Sequence, residues 1–365
     1  MKITVVGAGI IGLSAAWALC REGHQVTVYE QGTLPNSLGS SVDQHRLIRF
    51  PYGRELGYTR MVFDAYRAWE QLWGDLGKRL YAPTGTLVLA SATESWASDS
   101  ATTLEQLGIG VRWLHAEQLQ AAFPLLMADG VESAFYLDSG GVLLAEKIIA
   151  AMAEYLSHKG VILHTQVQVR EIDPDRPRIV LEGAIAEADT LVIAAGAWVT
   201  RLLPDFGKRV TPSRQVVVYI EPPVETKAQW LNAPMILDID PECGFYLVPP
   251  VLGTDLKIGD HRFTLTGNPD CDRTAGEAEV QQIYKQLERR IKDFNRYQLK
   301  SARTCFYTVA PEERFIVEPV GNAWVMSGFS GHGFKFGPLL GLRLAEAIAC
   351  RCTPTFLSQW AAGEP

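Results

Sequence analysis

Residues 2–30 read KITVVGAGIIGLSAAWALCREGHQVTVYE. The first five (KITVV) make an apolar run suited to a short buried strand. Gly7, Gly9 and Gly12 follow in the G-x-G-x-x-G spacing, and residues 13–20 (LSAAWALC) carry the Ala and Leu of a helix. Gly23 ends the helix, residues 25–29 (QVTVY) read as a second strand, and Glu30 closes it. This is the pattern of a dinucleotide-binding βαβ unit. Gly7 allows the tight turn, Gly9 lets a pyrophosphate approach the backbone, and Gly12 lets the helix pack on the strand. The helix N-terminus offers N–H groups and the positive end of its dipole to phosphates. Glu30, eighteen residues after Gly12, is placed to accept from both hydroxyls of a ribose. The charge-poor run 3–19 also suits a signal peptide or membrane anchor, but the three glycines and the immediate second strand argue against both.

The chain has 365 residues, enough for about two domains with a large core. Hydrophobic residues make up 47% and charged residues 21%, an ordinary globular balance. A net charge of −7 disfavours a nucleic-acid partner, which wants a basic face. No other stretch is long enough to span a bilayer, so no membrane role is expected. Cys20, Cys243, Cys271, Cys305, Cys350 and Cys352 are scattered without zinc spacing, and no metal site is expected. Free thiols without an export signal point to the cytoplasm.

After Glu30 comes a polar loop, 32–43, and then HRLIRFPYG at 45–53. Arg46 and Arg49 share a face if this run is helical and lie on opposite sides if it is extended. Apolar neighbours Leu47, Ile48 and Phe50 favour partial burial, and a buried guanidinium wants an anion. Residues 58–76 are amphipathic and helical, with Phe63, Tyr66, Trp69 and Trp73 as core. Residues 86–90 read as a strand. A mixed α/β insertion spans 91–138, with a helix near 101–107. A helix at 145–159 follows, then strands at 161–164, 166–169 and 190–195. The last of these runs into Gly196, where a sheet edge meets a dinucleotide closely. From Val216 the pattern shifts to strands with Pro/Gly turns, including 243–248 and 256–258, and a charged helix at 275–291. The expected fold class is therefore α/β: a Rossmann-like nucleotide domain plus an α+β domain with an antiparallel sheet. The nucleotide domain takes 1–88, 140–212 and 312–365, and the second domain 89–139 and 213–311. Near the C-terminus, GFSGHGFKFG at 328–337 places four glycines ahead of a helix at 339–349, a second place for backbone N–H groups to face a ligand.

GAGIIG with Glu30, RLIRFPYG, LKIGDH (256–261), TCFYT (304–308) and GFSGHGFKFG together resemble the monomeric sarcosine oxidase family, which includes N-methyltryptophan and pipecolate oxidases within the D-amino-acid oxidase fold. The resemblance covers nearly the whole chain, with the motifs in the same order. It implies a flavin oxidase of a secondary amino acid, with FAD attached through a thioether at the position of Cys305. It implies a carboxylate clamp of Arg49 and Lys335, a flavin-side Arg46, and an oxygen-activating Lys257. Tyr246, Tyr307, His332 and His261 match residues lining the family's active site, His261 on the catalytic side. The FAD contacts it implies are Gly7, Gly9, Ile10, Ile11, Gly12, Glu30, Gln31, Ser40, Arg46, Val167, Gly196, Cys305, Gly331, His332, Gly333, Phe334 and Lys335. The partners implied are a small amino acid and O2, for a monomer or small homo-oligomer. One position departs: four residues before Arg46 the family has a histidine and this chain has Val42. A bulkier or cyclic N-substituted amino acid is then allowed equally with sarcosine. Rival readings are a dehydrogenase of the same fold that passes electrons to a carrier, a nicotinamide-dependent reductase, and a non-catalytic flavoprotein subunit. Neither TCFYT nor the late glycine loop is needed by the reductase.

Overall fold

The computed structural model describes residues 1–91, 95–240 and 244–364. Two large sheets organise it. The first has six strands in the order Ile316–Val320, Ala323–Ser327, Thr190–Ile193, Lys2–Val6, Gln25–Tyr29 and Ile162–His164. Its pairings are parallel except at the Ile316–Val320 edge. Lys2–Val6 is central, with Val5 opposite Val28 on one side and Val192 on the other. A parallel sheet is covered on both faces, so its strands are apolar throughout rather than alternating. Ile3, Val5, Val28, Val192 and Ile193 are accordingly buried. The helix Ile10–Arg21 packs against Gly337–Ile348, joining the two ends of the chain.

The second sheet has eight strands in the order Gln298–Val309, Thr211–Glu221, Leu256–Asp260, Phe245–Val248, Met235–Ile239, Thr86–Ala90, Ser133–Leu137 and Arg112–Leu114. It is antiparallel apart from the Met235–Ile239 and Thr86–Ala90 pair. The expected α/β class with an added antiparallel sheet is borne out. The registers matter for function. Cys305 lies opposite Gln215, Lys257 opposite both Tyr219 and Val248, and Tyr246 opposite Gly259. Four strands thus bring residues up to 90 positions apart, Gln215 and Cys305, into one patch. A small sheet, Arg46–Ile48, Gly141–Leu143 and Tyr81–Pro83, carries the arginine segment.

Arg46–Ile48 is therefore extended, and Arg46 and Arg49 point to different partners. The 58–76 helix is Leu56–Leu76, with Trp69 and Trp73 buried and Phe63 and Tyr66 packed beside them. The insertion helix runs Trp96–Gln106, longer than read from the sequence, because Ala97 and Ser100 are also buried against the core. The 275–291 helix is shorter, Glu277–Glu288, and starts after Gly276. One expected strand does not form. After Ile162–His164, Gln166 turns to φ 58°, and residues 166–169 run as a loop. Their backbone is satisfied across the cleft instead, Gln166 N donating to Gly32 O at 2.8 Å and Val167 N to Glu30 O at 2.9 Å. Cys243, at the start of the expected 243–248 strand, lies outside the described residues; the strand is Phe245–Val248.

Candidate active site

The nucleotide turn begins where Lys2–Val6 ends. Gly7 adopts φ +100°, and a Cβ there would lie 2.5 Å from Ala194 O. Its N–H donates to Tyr29 O at 2.8 Å, tying the turn to the next strand. Gly12 has ordinary backbone angles but no room: a Cβ would meet Gly7 O at 1.9 Å. Gly12→Ala must push the helix off the turn. Overpacking of this kind costs about 1–3 kcal/mol. The expected result is a lower melting temperature together with weaker retention of the nucleotide, read by thermal denaturation and by absorbance of the purified protein.

Glu30 is buried and already oriented. Its Oε2 accepts from Ala8 N at 2.9 Å, and its Oε1 from Gly32 N at 3.0 Å and Asn36 Nδ2 at 2.8 Å. A carboxylate has about four acceptor positions, so one is open to a ribose hydroxyl. Asn36, which holds the acid in place, carried no sequence signal. Around this corner lies a cavity of about 540 Å³. Gly7, Gly9, Ile10, Ile11, Glu30 and Gln31 form one end; Ser40, Arg46, Val167 and Gly196 line its length; Tyr307, Gly331, Gly333 and Phe334 lie toward the second sheet. Gly12, Cys305, His332 and Lys335 stand behind these walls. Val42, the departing position, is buried and lines the cavity. Gly9 has no side chain to cap the helix; Ile10 N donates to Ser41 Oγ at 2.9 Å, and the helix start lines the cavity, where its dipole end favours an anion. An elongated dinucleotide fits this donor set.

At Arg46 on the cavity lining, Lys257 and Cys305 converge. Lys257 is 2% exposed and donates to Asp43 Oδ2 at 2.6 Å and His45 O at 3.3 Å. Arg46 donates to the same Asp43 oxygen and to Ser40 O at 2.6 Å. Burial, then the Arg46 charge, push the Lys257 ammonium down to about 8, with Asp43 opposing. Cys305 is 5% exposed, and burial pushes its thiol up while Arg46 and Lys257 pull it down. Both cations therefore act on the sulfur.

A second cationic pair sits nearby. Lys335 is 4% exposed, and its Nζ donates to Tyr52 OH at 2.8 Å and His332 O at 3.1 Å, both neutral. Burial, then Arg49, hold it well below the usual lysine range. Arg49 donates to Pro51 O and stacks between Tyr52 and Trp96, 4.7 and 5.7 Å from the ring centres. Burial depresses Arg49 as well. Among the described residues neither cation has a carboxylate partner within ion-pair distance. His332 is pushed down to about 4 by burial, against the pull of Glu313, whose Oε2 is 3.3 Å from Nε2. Tyr246 stacks near His261, ring centres 6.0 Å apart, with Lys257 Nζ 6.0 Å from the Tyr246 ring. Burial raises both Tyr246 and Tyr307, so these phenols stay protonated. Sequence reading missed Asp43, Tyr52, Trp96, Tyr219 and Glu313. Tyr52 lies within RLIRFPYG, but its role shows only through Lys335, 283 positions away; Asp43, Trp96, Tyr219 and Glu313 lie outside the quoted motifs. Among the described residues no group of three or more His, Cys, Asp or Glu side chains is placed to hold a metal ion.

A cavity with a nucleotide-binding turn at its wall and two sets of interior cations nearby is the setting of an enzyme that works on a bound nucleotide cofactor. Residues 2–347 match the FAD dependent oxidoreductase (DAO) family. The chain belongs to this family, and it is an FAD-dependent oxidoreductase. It is 30% identical over 363 residues to peroxisomal sarcosine oxidase of Mus musculus, covering 96% of this chain and 93% of the relative. It is 27% identical over 360 residues to monomeric sarcosine oxidase of Bacillus sp. (strain B-0618), covering 94% and 91%. Its fold is shared with L-proline dehydrogenase of P. horikoshii, with a TM-score of 0.84, 20% identity, and coverage of 99% and 96%. These findings bear out the resemblance read from the motifs. No helix among the described residues is long and apolar enough to cross a membrane.

Proposed function

We propose that the protein oxidises the C–N bond of an N-methyl or cyclic secondary α-amino acid to an imine and reduces O2 to H2O2. The carrying observation is the pair Arg49 and Lys335, cationic side chains held in the interior that, among the described residues, have no carboxylate within ion-pair distance. An unpaired buried charge is costly, so such a pair calls for an anionic ligand. The substrate carboxylate supplies it, Arg49 as a planar fork and Lys335 as a point charge. The relatives' names, sarcosine oxidase above all, support an amine beside that carboxylate.

FAD, when bound, accepts the two electrons. The residues that would hold it are the Gly7–Gly12 turn, Glu30, Ser40, Gly196 and the 331–334 loop, with Cys305 as the thioether attachment point. The amine reacts neutral, because an ammonium has no lone pair to push. Tyr246 and Tyr307 hold the ammonium form by their faces before it loses its proton, and neutral His332 and His261 complete the pocket. No dedicated general base is required if the pocket lowers the amine's proton affinity. The amine gives up two electrons and two protons in becoming an imine, which water hydrolyses; O2 takes up two of each to become H2O2. Lys257, with Arg46 at its side, supplies positive charge where oxygen becomes anionic. We assign the nucleotide domain to segments 1–85, 140–212 and 312–365 and the substrate domain to 86–139 and 213–311; the first junction moves from the expected 88 to 85 because Thr86–Ala90 pairs within the eight-stranded sheet. Free thiols at Cys20, Cys271, Cys305, Cys350 and Cys352 suit a reducing compartment such as the cytoplasm.

A panel of sarcosine, N-methyl aromatic amino acids, proline and pipecolate, read by peroxide release, tests the substrate class. Turnover only with an artificial electron carrier, and none with O2, would favour a dehydrogenase. For attachment, acid precipitation of the purified protein is expected to leave a yellow pellet, and Cys305→Ser to release the colour into the supernatant. Colour in the wild-type supernatant would remove the covalent assignment.

A further inference from the structure

We infer that Asp43 is a positioning residue that keeps Lys257 cationic and fixed beside Arg46; this rests on the role given above to Lys257 in oxygen reduction. Asp43 is 2% exposed, and its carboxylate is saturated by donors from three separate segments. Oδ2 accepts from Lys257 Nζ at 2.6 Å and from Arg46. Oδ1 accepts from Tyr219 OH and from Gln44 N at 2.7 Å. The loop that leads from the nucleotide side into Arg46–Ile48 is thereby pinned to the eight-stranded sheet through Leu256–Asp260 and Thr211–Glu221. One buried anion serves two cations, Lys257 buried and Arg46 half-buried.

The titratable groups around Lys257 can be taken element by element. The 43–46 segment contributes Asp43, His45 and Arg46; Thr211–Glu221 contributes Tyr219; Phe245–Val248 contributes Tyr246; Gln298–Val309 contributes Cys305. Asp255 lies further out, its carbonyl 3.0 Å from His45 Nε2 and its carboxylate held by Lys300. His45 is pushed down to about 4 by burial, and burial raises Tyr219, Tyr246 and Cys305, so all four are neutral near pH 7. Asp43, despite its burial, is held ionised by Arg46 and Lys257. It is the group among these that opposes the loss of the lysine proton. Lys257 spends two donors on Asp43 and His45 O, which leaves one N–H to point toward oxygen.

Asp43→Asn keeps the shape and removes the charge. Lys257 then loses its proton near neutrality, because desolvation and Arg46 act unopposed. Two readouts follow. First, reoxidation of the reduced enzyme by O2 in Asp43→Asn falls at pH 8.5 toward the Lys257→Met rate and recovers roughly tenfold or more by pH 6, a full swing of one ionisation. Lys257→Met shows no such recovery. Second, without any turnover, the melting temperature of Asp43→Asn falls further below wild type as pH drops from 9 to 6. A lysine whose folded pKa is depressed must be charged against its environment below that range, and the unfolded chain takes up the proton freely. In the Lys257→Met background the Asp43→Asn deficit has no such slope. Equal deficits at every pH in both backgrounds would make Asp43 a purely structural contact and overturn the inference. If Lys257→Met leaves reoxidation unchanged, the oxygen role fails, while the melting slopes still decide the role of Asp43. Should Asp43→Asn fail to fold, Asp43→Asn/Lys257→Met is expected to fold, since the stranded charge is gone; failure of both variants would also overturn it.

Discussion

Lys335→Met is expected to weaken substrate binding by about 2–5 kcal/mol, roughly 30- to 5,000-fold in Kd. The ammonium is enclosed, and its partners are the Tyr52 hydroxyl and the His332 carbonyl. A substrate carboxylate is the missing counter-charge, so removal of the lysine leaves that carboxylate half-paired in a dry pocket. Methionine fills the same volume without charge. The free protein should respond in the opposite direction. Lys335 is held well below its usual range by burial and by Arg49, so folding must work against its charged form. The sign follows from linkage: a depressed lysine has no effect above its unfolded pKa, detracts increasingly from stability as pH falls below it, and exacts the full penalty below the folded value. Lys335→Met should therefore melt higher than wild type, with the gap widening as pH falls through that window. Titration of the amino acid against flavin absorbance gives the affinity, and melting at several pH values gives the stability. An unchanged affinity would remove the clamp from the mechanism.

Lys257→Met is the second large effect. Removal of one preorganised charge at a developing anion costs roughly 10²–10³ in rate. The loss should fall on reoxidation by O2, with reduction by substrate altered by no more than about threefold, because that step builds no charge beside Lys257. Stopped-flow measurement of the two half-reactions separates them. Equal losses in both would place Lys257 in substrate positioning instead. The buried setting makes the specificity sharp: at 2% exposure, water does not replace the ammonium, and Arg46 is occupied by Asp43 and Ser40 O.

The two predictions draw on different parts of what the sequence contains. Arg49, Lys335, Lys257 and Cys305 were legible because each sits in a run whose residue order is distinctive: RLIRFPYG, GFSGHGFKFG, LKIGDH, TCFYT. Their partners were not. Tyr52 lies 283 positions from Lys335, and Asp43 lies 214 from Lys257. Such pairs exist only once strands are in register, and register depends on the burial of whole faces rather than on any local pattern. The lost strand at 166–169 shows the same limit in reverse. QVQV has the alternation of a strand, yet the chain there spends its N–H groups on the 30–32 turn across the cleft.

From its residues alone this chain specified a nucleotide-binding βαβ start, two kinds of sheet, and the cationic positions of its chemistry, because glycine geometry, strand periodicity and charged side chains in apolar surroundings act over a few residues. The tertiary structure alone decided that Asp43 joins Lys257 to Arg46, while Lys335 and Arg49 have no ion-pair partner among the described residues. Charge is written in sequence, but whether a buried charge is compensated depends on which distant side chain folding places within about 3–4 Å of it, where electrostatics in a low-dielectric interior become large.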